Sequence, residues 1–526
     1  MQFKEEISYK THSIFFISSF LLLAGALFLK LGIQPLYLEE PRRALIALEM
    51  SLNKNLIVPT EFGEFYYNKP PLWNWVILLS YKIFNNYSEF AVRFFSVLSY
   101  ILSGIIIFLA GRKYISPLFG MLSCMFFLIG IDTLFYFSQL GEIDIFYSLL
   151  IITSFIALFH FHTANKKFIA FFLFYFLIAL ATLTKGLPSI VFGGIGIIVL
   201  LAAKKRLKEL FSFQHIAGAS VFIIIIGAYL FLYSRYNDIK NLLQVLYSES
   251  AGRTVIKPDS GNFFTHVLLF PLDLLKNTLP ASLFLLVVFE KKIIESIKKN
   301  AYLSFSVLIL ITNLLVYWLS PGSKQRYIYM LYPFFINIMV LGYLLSDKNT
   351  IRQKAINCLF IIVFVLSSLG LAIVPFFSDR INLNNLTTIA LTASAFCILL
   401  LILYLKYPLY KIWFVILVFV VLRFVFDLTI LPYRNQDSLA LEMKDHGEKI
   451  ASIAGNKNLY LYNGTLISRT AIFYIERSRM KVLGRDSVLL ADQFYLTEQG
   501  QTIPVPHDTV YNLKYDREDF YLIHTK

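Results

Sequence analysis

Apolar runs of about twenty residues recur along this chain and are the feature that most constrains its fold. Each run is long enough to cross a hydrocarbon core roughly 30 Å thick. Stretches such as 214–234 and 386–406 are apolar on every face, which indicates helices, because the strands of a membrane barrel would alternate over about ten residues. With 57% hydrophobic and only 15% charged residues, the chain is more apolar than a soluble domain, in which about a quarter would be charged.

About thirteen membrane spans are predicted if one apolar segment, 70–84, lies at the membrane surface. This segment is only about fifteen residues long, which suits an interfacial helix better than a crossing. The predicted spans are 13–33, 90–110, 117–137, 143–162, 168–184, 187–203, 214–234, 264–289, 302–319, 327–346, 355–376, 386–406 and 411–430.

Basic loops support this topology, because cytoplasmic loops of membrane proteins carry an excess of Lys and Arg. Every second loop is basic, namely 111–113, 165–167, 204–208, 291–300, 347–354 and 406–411. If 70–84 crossed the membrane, the first three would face outward. We therefore expect a multi-pass protein of the bacterial inner (cytoplasmic) membrane with a cytoplasmic N-terminus. The net charge of +15 belongs to these loops, so membrane lipids and not nucleic acid are the expected surroundings.

The composition divides the chain into two predicted domains. A transmembrane domain covers 1–430, with its first outer loop at 34–89, and an ordinary mix of residues follows over 431–526. Strand-like runs occur there at Leu459–Tyr462, Lys481–Leu483 and Phe520–His524. The predicted fold is an all-α polytopic membrane protein with outer-face juxtamembrane helices and a small periplasmic α/β soluble domain at the C-terminus.

Two acidic pairs lie on the predicted outer side. Glu39 and Glu40 follow the first span, and Glu142 and Asp144 stand in the next outer turn. A solvated helix N-terminus, with Pro41 in its first turn, is one explanation of the first pair. Carboxylates at a membrane edge are costly to desolvate, however. Proton abstraction from an acceptor hydroxyl, or binding of a divalent metal ion through Glu39, Glu142 and Asp144, is the functional explanation.

Basic residues also occur on the predicted outer side, where the positive-inside rule does not require them. Cations at headgroup depth can pair with phosphate oxygens, and Arg does so bidentately. Any single one can equally be a side chain that reaches the interface. Together with the acidic pairs they favour a site that holds a lipid phosphate and activates a hydroxyl. The residues are Arg42, Arg43, Lys69, Lys185, Arg253, Lys324 and Arg326, with Tyr327 beside them.

Three sequence runs resemble the opening of the GT-C glycosyltransferases of the protein mannosyltransferase and aminoarabinose (lipid A) transferase superfamily. They are EEPRRALIALEM from Glu39, NLIVPTEFGEFYYNKPPLWNW from Asn55 and SEFAVRF from Ser88. The resemblance extends to Gly141–Asp144, Leu183–Gly186 and Gly322–Tyr327. It implies a GT-C fold and inverting transfer of a sugar from a polyprenyl-phosphate donor to a lipid, glycan or protein acceptor at the periplasmic face.

The resemblance also implies roles for individual residues. Glu39 stands where the family has an aspartate, and Glu39, Glu40 and Asp144 are the predicted catalytic residues. The predicted donor-phosphate ligands are Arg42, Lys69, Lys185, Arg253, Lys324, Arg326 and Tyr327. Glu142, Tyr67 and Asn68 complete the predicted site. Asn68 replaces a glutamate of the aminoarabinose transferases and Arg43 a usual tyrosine, which leaves the sugar and the acceptor open.

Two other functions compete with sugar transfer. A transporter or flippase of a lipid-linked sugar also has many spans, but such proteins tend to show internal repeats and broken helices, and the sequence shows no repeat. A non-catalytic relative that binds polyprenyl phosphate is the other alternative, because Glu39 departs from the family's aspartate.

Overall fold

A computed structural model describes residues 2–251, 263–380, 383, 385–516 and 518–526. The predicted polytopic membrane fold is confirmed. Within the described residues, ten helices are long and apolar enough to cross a membrane, and two bent helix pairs raise the number to twelve. The helix Pro188–Ala203, with 16 residues, is shorter than these. Counted with the twelve, it accounts for the thirteen spans predicted from the sequence.

The bounds of the spans follow the apolar runs. The ten are Tyr9–Phe28, Glu89–Tyr114, Ile143–Thr163, Lys167–Lys185, Phe213–Tyr233, Ala301–Trp318, Gln325–Leu345, Ile351–Phe377, Leu386–Lys406 and Pro408–Gln436. The bent pairs are Pro117–Leu128 with Ile131–Gln139, at 50°, and Phe263–Asn277 with Ala281–Val288, at 108°. The segment predicted to lie at the surface forms the helix Leu72–Phe84, whose 13 residues are too few to cross a hydrocarbon core about 30 Å thick.

The chain divides into two compact units. We call Met1–Lys30, Ser96–Ala228 and Gln244–Tyr433 the span unit. We call Leu31–Phe95, Tyr229–Leu243 and Arg434–Lys526 the α/β unit. The structure therefore groups the whole of the first predicted outer loop with the C-terminal region, although almost 350 residues separate the two in sequence.

Small residues allow close packing in the span unit. The helix Pro117–Leu128 begins after Ser116, whose side chain caps it by accepting from the Phe119 amide. A Cβ added to Gly120 would lie 2.5 Å from the Phe108 carbonyl oxygen, and one added to Gly111 would lie 2.7 Å from the Gly120 Cα. Only glycine fits at this helix crossing, as is typical of helix pairs in membranes.

The α/β unit includes four complete helices and a hairpin of two short strands. The helices are Glu40–Leu52, Leu72–Phe84, Leu439–Ala454 and Arg469–Arg479. The strands Thr60–Glu61 and Glu64–Phe65 pair antiparallel as a hairpin. Its two turn residues, Phe62 and Gly63, have φ angles of 61° and 73°, the left-handed pair that a tight hairpin turn requires.

A five-stranded sheet confirms the predicted C-terminal α/β domain. In spatial order the strands are Arg485–Asp486, Leu459–Tyr462, Phe494–Glu498, Glu518–Thr525 and His507–Tyr515. The first two pairings are parallel and the last two antiparallel. The predicted strands at Leu459–Tyr462 and Phe520–His524 are correct.

The strand predicted at Lys481–Leu483 is wrong, because the strand there is Arg485–Asp486. A side chain explains the difference. The buried Glu476 carboxylate accepts the backbone N–H of Leu483 at 2.8 Å, so that amide is withheld from the sheet and pairing begins two residues later.

Candidate active site

The predicted site residues fall into two groups, one in each compact unit. The span unit holds Glu142, Asp144, Lys185, Lys324, Arg326 and Tyr327. The α/β unit holds Glu39, Glu40, Arg42, Arg43, Tyr67, Asn68 and Lys69. Arg253 lies outside the described residues.

In the span unit, the acidic and basic candidates form direct ion pairs. We call Glu142, Asp144, Lys185 and Arg326 the Asp144 cluster. Lys185 Nζ lies 2.5 Å from Asp144 Oδ1, with side chains 7% and 3% exposed. Arg326 Nη1 lies 3.0 Å from Glu142 Oε2, and Arg326 Nε lies 3.9 Å from Asp144 Oδ2. Two cations therefore face two carboxylates that are almost completely removed from solvent.

Helix ends hold these side chains in place. The helix Ile143–Thr163 begins directly after Glu142, and Asp144 is in its first turn, where the helix dipole favours a negative charge. Lys185 is the last residue of the helix Lys167–Lys185, where the dipole favours a cation. Gly186 follows with φ 79°, which few residues except glycine adopt without strain.

Aromatic rings enclose the lysine of the cluster. Lys185 Nζ lies 4.9 Å from the ring centre of Tyr147 and 4.7 Å from that of Tyr327, within the range of cation–π attraction. Lys324, in contrast, is exposed. Tyr327 therefore contacts Lys185, itself a predicted phosphate ligand, while Lys324 remains accessible to a solute.

In the α/β unit, Glu39 belongs to a chain of alternating charges. Arg42 Nη1 donates to Glu39 Oε2 at 2.8 Å, and Arg42 Nε lies 3.4 Å from Glu61 Oε1. Arg469 Nε donates to the same Glu61 oxygen at 2.5 Å. Arg42 was predicted to bind phosphate; in the structure its guanidinium contacts two carboxylates. Glu61 and Arg469 were missed, because 408 residues separate them in sequence.

Glu40 is buried in a strong ion pair. Its carboxylate accepts from Arg93 Nε at 2.8 Å and from Arg93 Nη2 at 2.9 Å, and both side chains are nearly inaccessible, at 0% and 2% exposed. Arg93 also donates to the carbonyls of Leu31, Gln34 and Pro35. The idea of a solvated helix end is wrong for Glu40, because bidentate Arg–carboxylate pairing compensates its burial.

Of the remaining candidates of the α/β unit, Tyr67, Asn68 and Lys69 are half-buried and Arg43 is buried. Lys69 Nζ donates to the Asn68 carbonyl at 3.0 Å, and the Tyr67 hydroxyl accepts from Asn237 at 3.1 Å. Arg43 is 6% exposed and donates to the Tyr66 hydroxyl at 3.0 Å. Arg43 thus supports packing, while Lys69 retains enough exposure to meet a solute.

A buried pair of carboxyls was not found from the sequence. Glu49 accepts the amides of Phe62 and Gly63 at 2.6 and 3.1 Å. Burial raises the pKa of Glu49 to about 7, against the effect of these hydrogen bonds. Burial, and then the nearby Glu49 charge, raise the pKa of Glu476 well above its usual range. Glu49 lies in the run that begins at Glu39 and Glu476 lies 427 residues later in the chain, so only their spatial proximity reveals the pair.

The residues predicted to bind a metal ion do not fit one in the described part of the chain. Glu142 and Asp144 face Arg326 and Lys185, whereas a divalent cation needs several oxygen ligands directed at one point. No group of three His, Cys, Asp or Glu side chains within those ranges could hold a metal. Metal binding stays a prediction, and no chemical step below depends on it.

A protein-family model matches part of the chain. The model described as dolichyl-phosphate-mannose-protein mannosyltransferase matches residues 68–231, which include Lys69, Asp144 and Lys185. An uncharacterized protein of Aquifex aeolicus (strain VF5) is 24% identical over 331 residues, which cover 62% of this chain and 63% of that protein. This chain therefore spans less than two thirds of the length of that relative.

Two further similarities are to a curated protein and to a solved structure. Undecaprenyl phosphate-alpha-4-amino-4-deoxy-L-arabinose arabinosyl transferase 2 of Proteus mirabilis (strain HI4320) is 40% identical over 74 residues, 14% of this chain and 13% of that one. The crystal structure of ArnT from Cupriavidus metallidurans bound to undecaprenyl phosphate covers 97% of both chains at 14% identity, with a TM-score of 0.69. The fold is thus that of ArnT, and the resemblance to this glycosyltransferase superfamily is confirmed.

Proposed function

We propose that this chain, which has the fold of ArnT and matches the mannosyltransferase model, transfers a sugar from a polyprenyl-phosphate donor to an acceptor hydroxyl. Its crystallised neighbour was solved with undecaprenyl phosphate, which supports that class of donor. The acceptor is a lipid, a glycan or a protein. The observation that carries the proposal is the Asp144 cluster, in which a buried carboxylate is held 2.5 Å from a lysine.

The proposed reaction is a single displacement. The acceptor oxygen attacks the anomeric carbon and forms the new glycosidic bond. The bond from that carbon to the phosphate oxygen breaks, and its electron pair leaves with the polyprenyl phosphate. The acceptor proton passes to a carboxylate of the enzyme. One such step inverts the anomeric configuration and requires no covalent intermediate.

Asp144 or Glu39 is the proposed base. A positioned carboxylate contributes roughly 10²–10⁴-fold by removing the proton of a hydroxyl as it attacks. Lys185 fixes the Asp144 carboxylate, and Arg42 contacts one oxygen of Glu39, whose side chain is 38% exposed. Both carboxylate oxygens of Glu40 accept hydrogen bonds from Arg93, so we assign Glu40 to holding Arg93 and the segment before Glu39.

Lys69 and Lys324 are the proposed ligands of the donor phosphate. Lys324 is exposed and Lys69 is half-buried, so a solute can reach both side chains. A phosphate leaving group needs its growing charge neutralised more than it needs a proton. We assign Lys185 and Arg326 primarily to the acids that they contact.

We propose that both sets of site residues face the periplasm and that the N-terminus is cytoplasmic. The alternation of basic loops supports this orientation. Thiol labelling of intact spheroplasts tests it, with Arg112→Cys and Tyr236→Cys in a Cys358→Ala background, since Cys358 is exposed. Position 236 should react and position 112 should not. The reverse pattern would overturn the orientation.

The function itself is tested by comparing cells with and without this protein. Mass spectrometry of lipid A, glycans and envelope proteins should reveal one sugar-modified acceptor that disappears with the gene and with Asp144→Asn. Purified protein given that acceptor and the lipid-linked donor should reproduce the modification. A protein that moves the donor between leaflets without forming a glycosidic bond would be a flippase instead.

A further inference from the structure

We infer that Arg469, in the C-terminal helix Arg469–Arg479, is a positioning residue that controls Glu39 through Glu61 and Arg42. The inference rests on the proposed function, in which Glu39 acts on the acceptor hydroxyl. It gives the C-terminal region a part in catalysis, although no side chain of that region belongs to the site predicted from the sequence.

The side chains of Arg469, Glu61, Arg42 and Glu39 alternate in charge, and each contacts the next. Arg469 and Arg42 share the oxygen Glu61 Oε1, at 2.5 and 3.4 Å, and Arg42 reaches Glu39 at 2.8 Å. Their exposed fractions are 31%, 20%, 13% and 38% in the order Arg469, Arg42, Glu61 and Glu39. Charges that are half withdrawn from water interact more strongly than fully exposed ones.

Glu61 is held rigidly between its two arginines. It lies in a hairpin strand that pairs with Glu64–Phe65, and the amides at the hairpin turn donate to Glu49. The Asn53 side chain also donates to Thr60 Oγ1 at 3.2 Å. Because its backbone is fixed, Glu61 responds to the loss of one arginine by binding the other more closely.

The same C-terminal helix, Arg469–Arg479, forms hydrogen bonds with the backbone just before Glu39. Thr470 Oγ1 donates to the Leu36 carbonyl at 3.1 Å, and the Leu36 amide donates to the Tyr474 hydroxyl at 3.1 Å. One helix thus contacts both the segment that leads into Glu39 and, through Arg469, the Glu61 carboxylate that binds Arg42. A site residue is held in a productive geometry only by such supporting contacts.

A neighbouring ion pair offers a matched control. Arg485 Nη1 lies 2.7 Å from Glu64 Oε2, so it also joins the C-terminal region to the hairpin. Arg469 and Arg485 even approach the same ring, that of Phe62, at 5.8 and 5.3 Å. Within the described residues Glu64 forms no ion pair with Arg42. Arg485→Ala therefore removes a similar contact and leaves the ion pairs that join Arg469 to Glu39 intact.

The alternation of charge predicts effects of opposite sign. In Arg469→Ala, Glu61 draws Arg42 away and Glu39 becomes more reactive. In Glu61→Gln, Arg42 loses one of its two carboxylate partners among the described residues, and Glu39 becomes less reactive. Reactivity is measured on the full chain in lipid nanodiscs as the rate at which a water-soluble carbodiimide couples Glu39 to glycine ethyl ester, followed by peptide mass spectrometry.

We expect about a threefold rise for Arg469→Ala and a fall of similar size for Glu61→Gln. Arg469→Lys should restore most of the wild-type rate, and Arg485→Ala should leave it unchanged. In an Arg42→Ala background neither substitution should act any further. Equal rates in Arg469→Ala and wild type, shifts of the same sign in both variants, or full effects without Arg42 would each overturn the inference.

Turnover provides the second readout. With the acceptor identified as described above, Arg469→Ala should lower kcat about tenfold and leave KM for the donor unchanged, because misplacing a reacting group costs rate rather than binding. Unchanged kcat together with altered labelling would remove the positioning role. Absence of sugar transfer by the wild-type protein would instead overturn the proposed function, and the labelling result would still stand.

Discussion

The Asp144 cluster and the charged residues around Glu39 are both built from ion pairs, but they differ in exposure to solvent. Asp144 and Lys185 are 3% and 7% exposed and both lie in spans. Glu39 and Arg42 are 38% and 20% exposed and are supported by the α/β unit. The buried pair is costly to break, because either charge alone would be stranded. The more exposed pair, Glu39 with Arg42, can be rearranged at little cost in free energy. This suits a carboxylate whose orientation is controlled by neighbouring residues.

The largest effect is expected from removing one charge of the buried pair. Lys185→Met should leave Asp144 with only the more distant Arg326, at 3.9 Å, as a cation among the described residues, and lower the free energy of unfolding by about 3–5 kcal/mol. Thermal unfolding in detergent measures this. Lys276→Ala is the control, because its pair with Asp273 is 65% and 45% exposed and is expected to contribute less than about 1 kcal/mol. Equal losses in both variants would show that burial does not distinguish these pairs.

Isosteric substitutions should separate catalysis from stability. Asp144→Asn and Glu39→Gln should each lower turnover by at least about 10², because neither amide can accept the acceptor proton. Binding of undecaprenyl phosphate should persist in both. We expect Asp144→Asn alone to lower the unfolding temperature as well. Wild-type transfer rates in both variants would refute the proposed bases.

The stability of the α/β unit should depend on pH through the carboxyl groups of Glu49 and Glu476. Burial raises the pKa of Glu49 from 4.5 to about 7, so the folded state binds the proton more tightly than the unfolded state. The stabilisation is complete below the unfolded pKa and is lost as the pH rises through 7. We expect a decrease of roughly 1–3 kcal/mol between pH 5 and 7.

Replacing one of these carboxyls tests that pH dependence. Glu476→Gln should flatten the pH profile of unfolding and stabilise the protein above pH 7. Glu448→Gln, at a side chain that is 42% exposed and pairs with Arg477, is the control and should retain the wild-type profile. If the profile of Glu476→Gln matched that of wild type, the two buried carboxyls would not be linked to folding.

The smallest effect concerns donor binding. Lys69→Ala should weaken binding of undecaprenyl phosphate about tenfold, the size of one charge-assisted contact worth about 1.4 kcal/mol. Arg43→Lys serves as the comparison, because Arg43 donates to Tyr66 inside the protein, and its donor affinity should not change. Microscale thermophoresis in nanodiscs measures both. Unchanged affinity in Lys69→Ala would remove Lys69 from the donor site.

The sequence by itself determined the membrane architecture and most of the candidate residues. Runs of about twenty apolar residues require helices in a bilayer whatever their neighbours, because backbone groups must be hydrogen-bonded within the segment. The acidic residues Glu39 and Asp144 stood out for a similar reason, since charge beside an apolar run is costly.

Only the tertiary structure decided how the charges are paired. The sequence assigned acids to the acceptor and cations to the donor, whereas the structure joins Asp144 to Lys185 and Arg42 to both Glu39 and Glu61. Pairing depends on distances of 2.5 Å between side chains that lie 41 or 408 residues apart. Local patterns carry no information at that range, because the free energy of an ion pair is set by separation and burial, which exist only once the chain has folded.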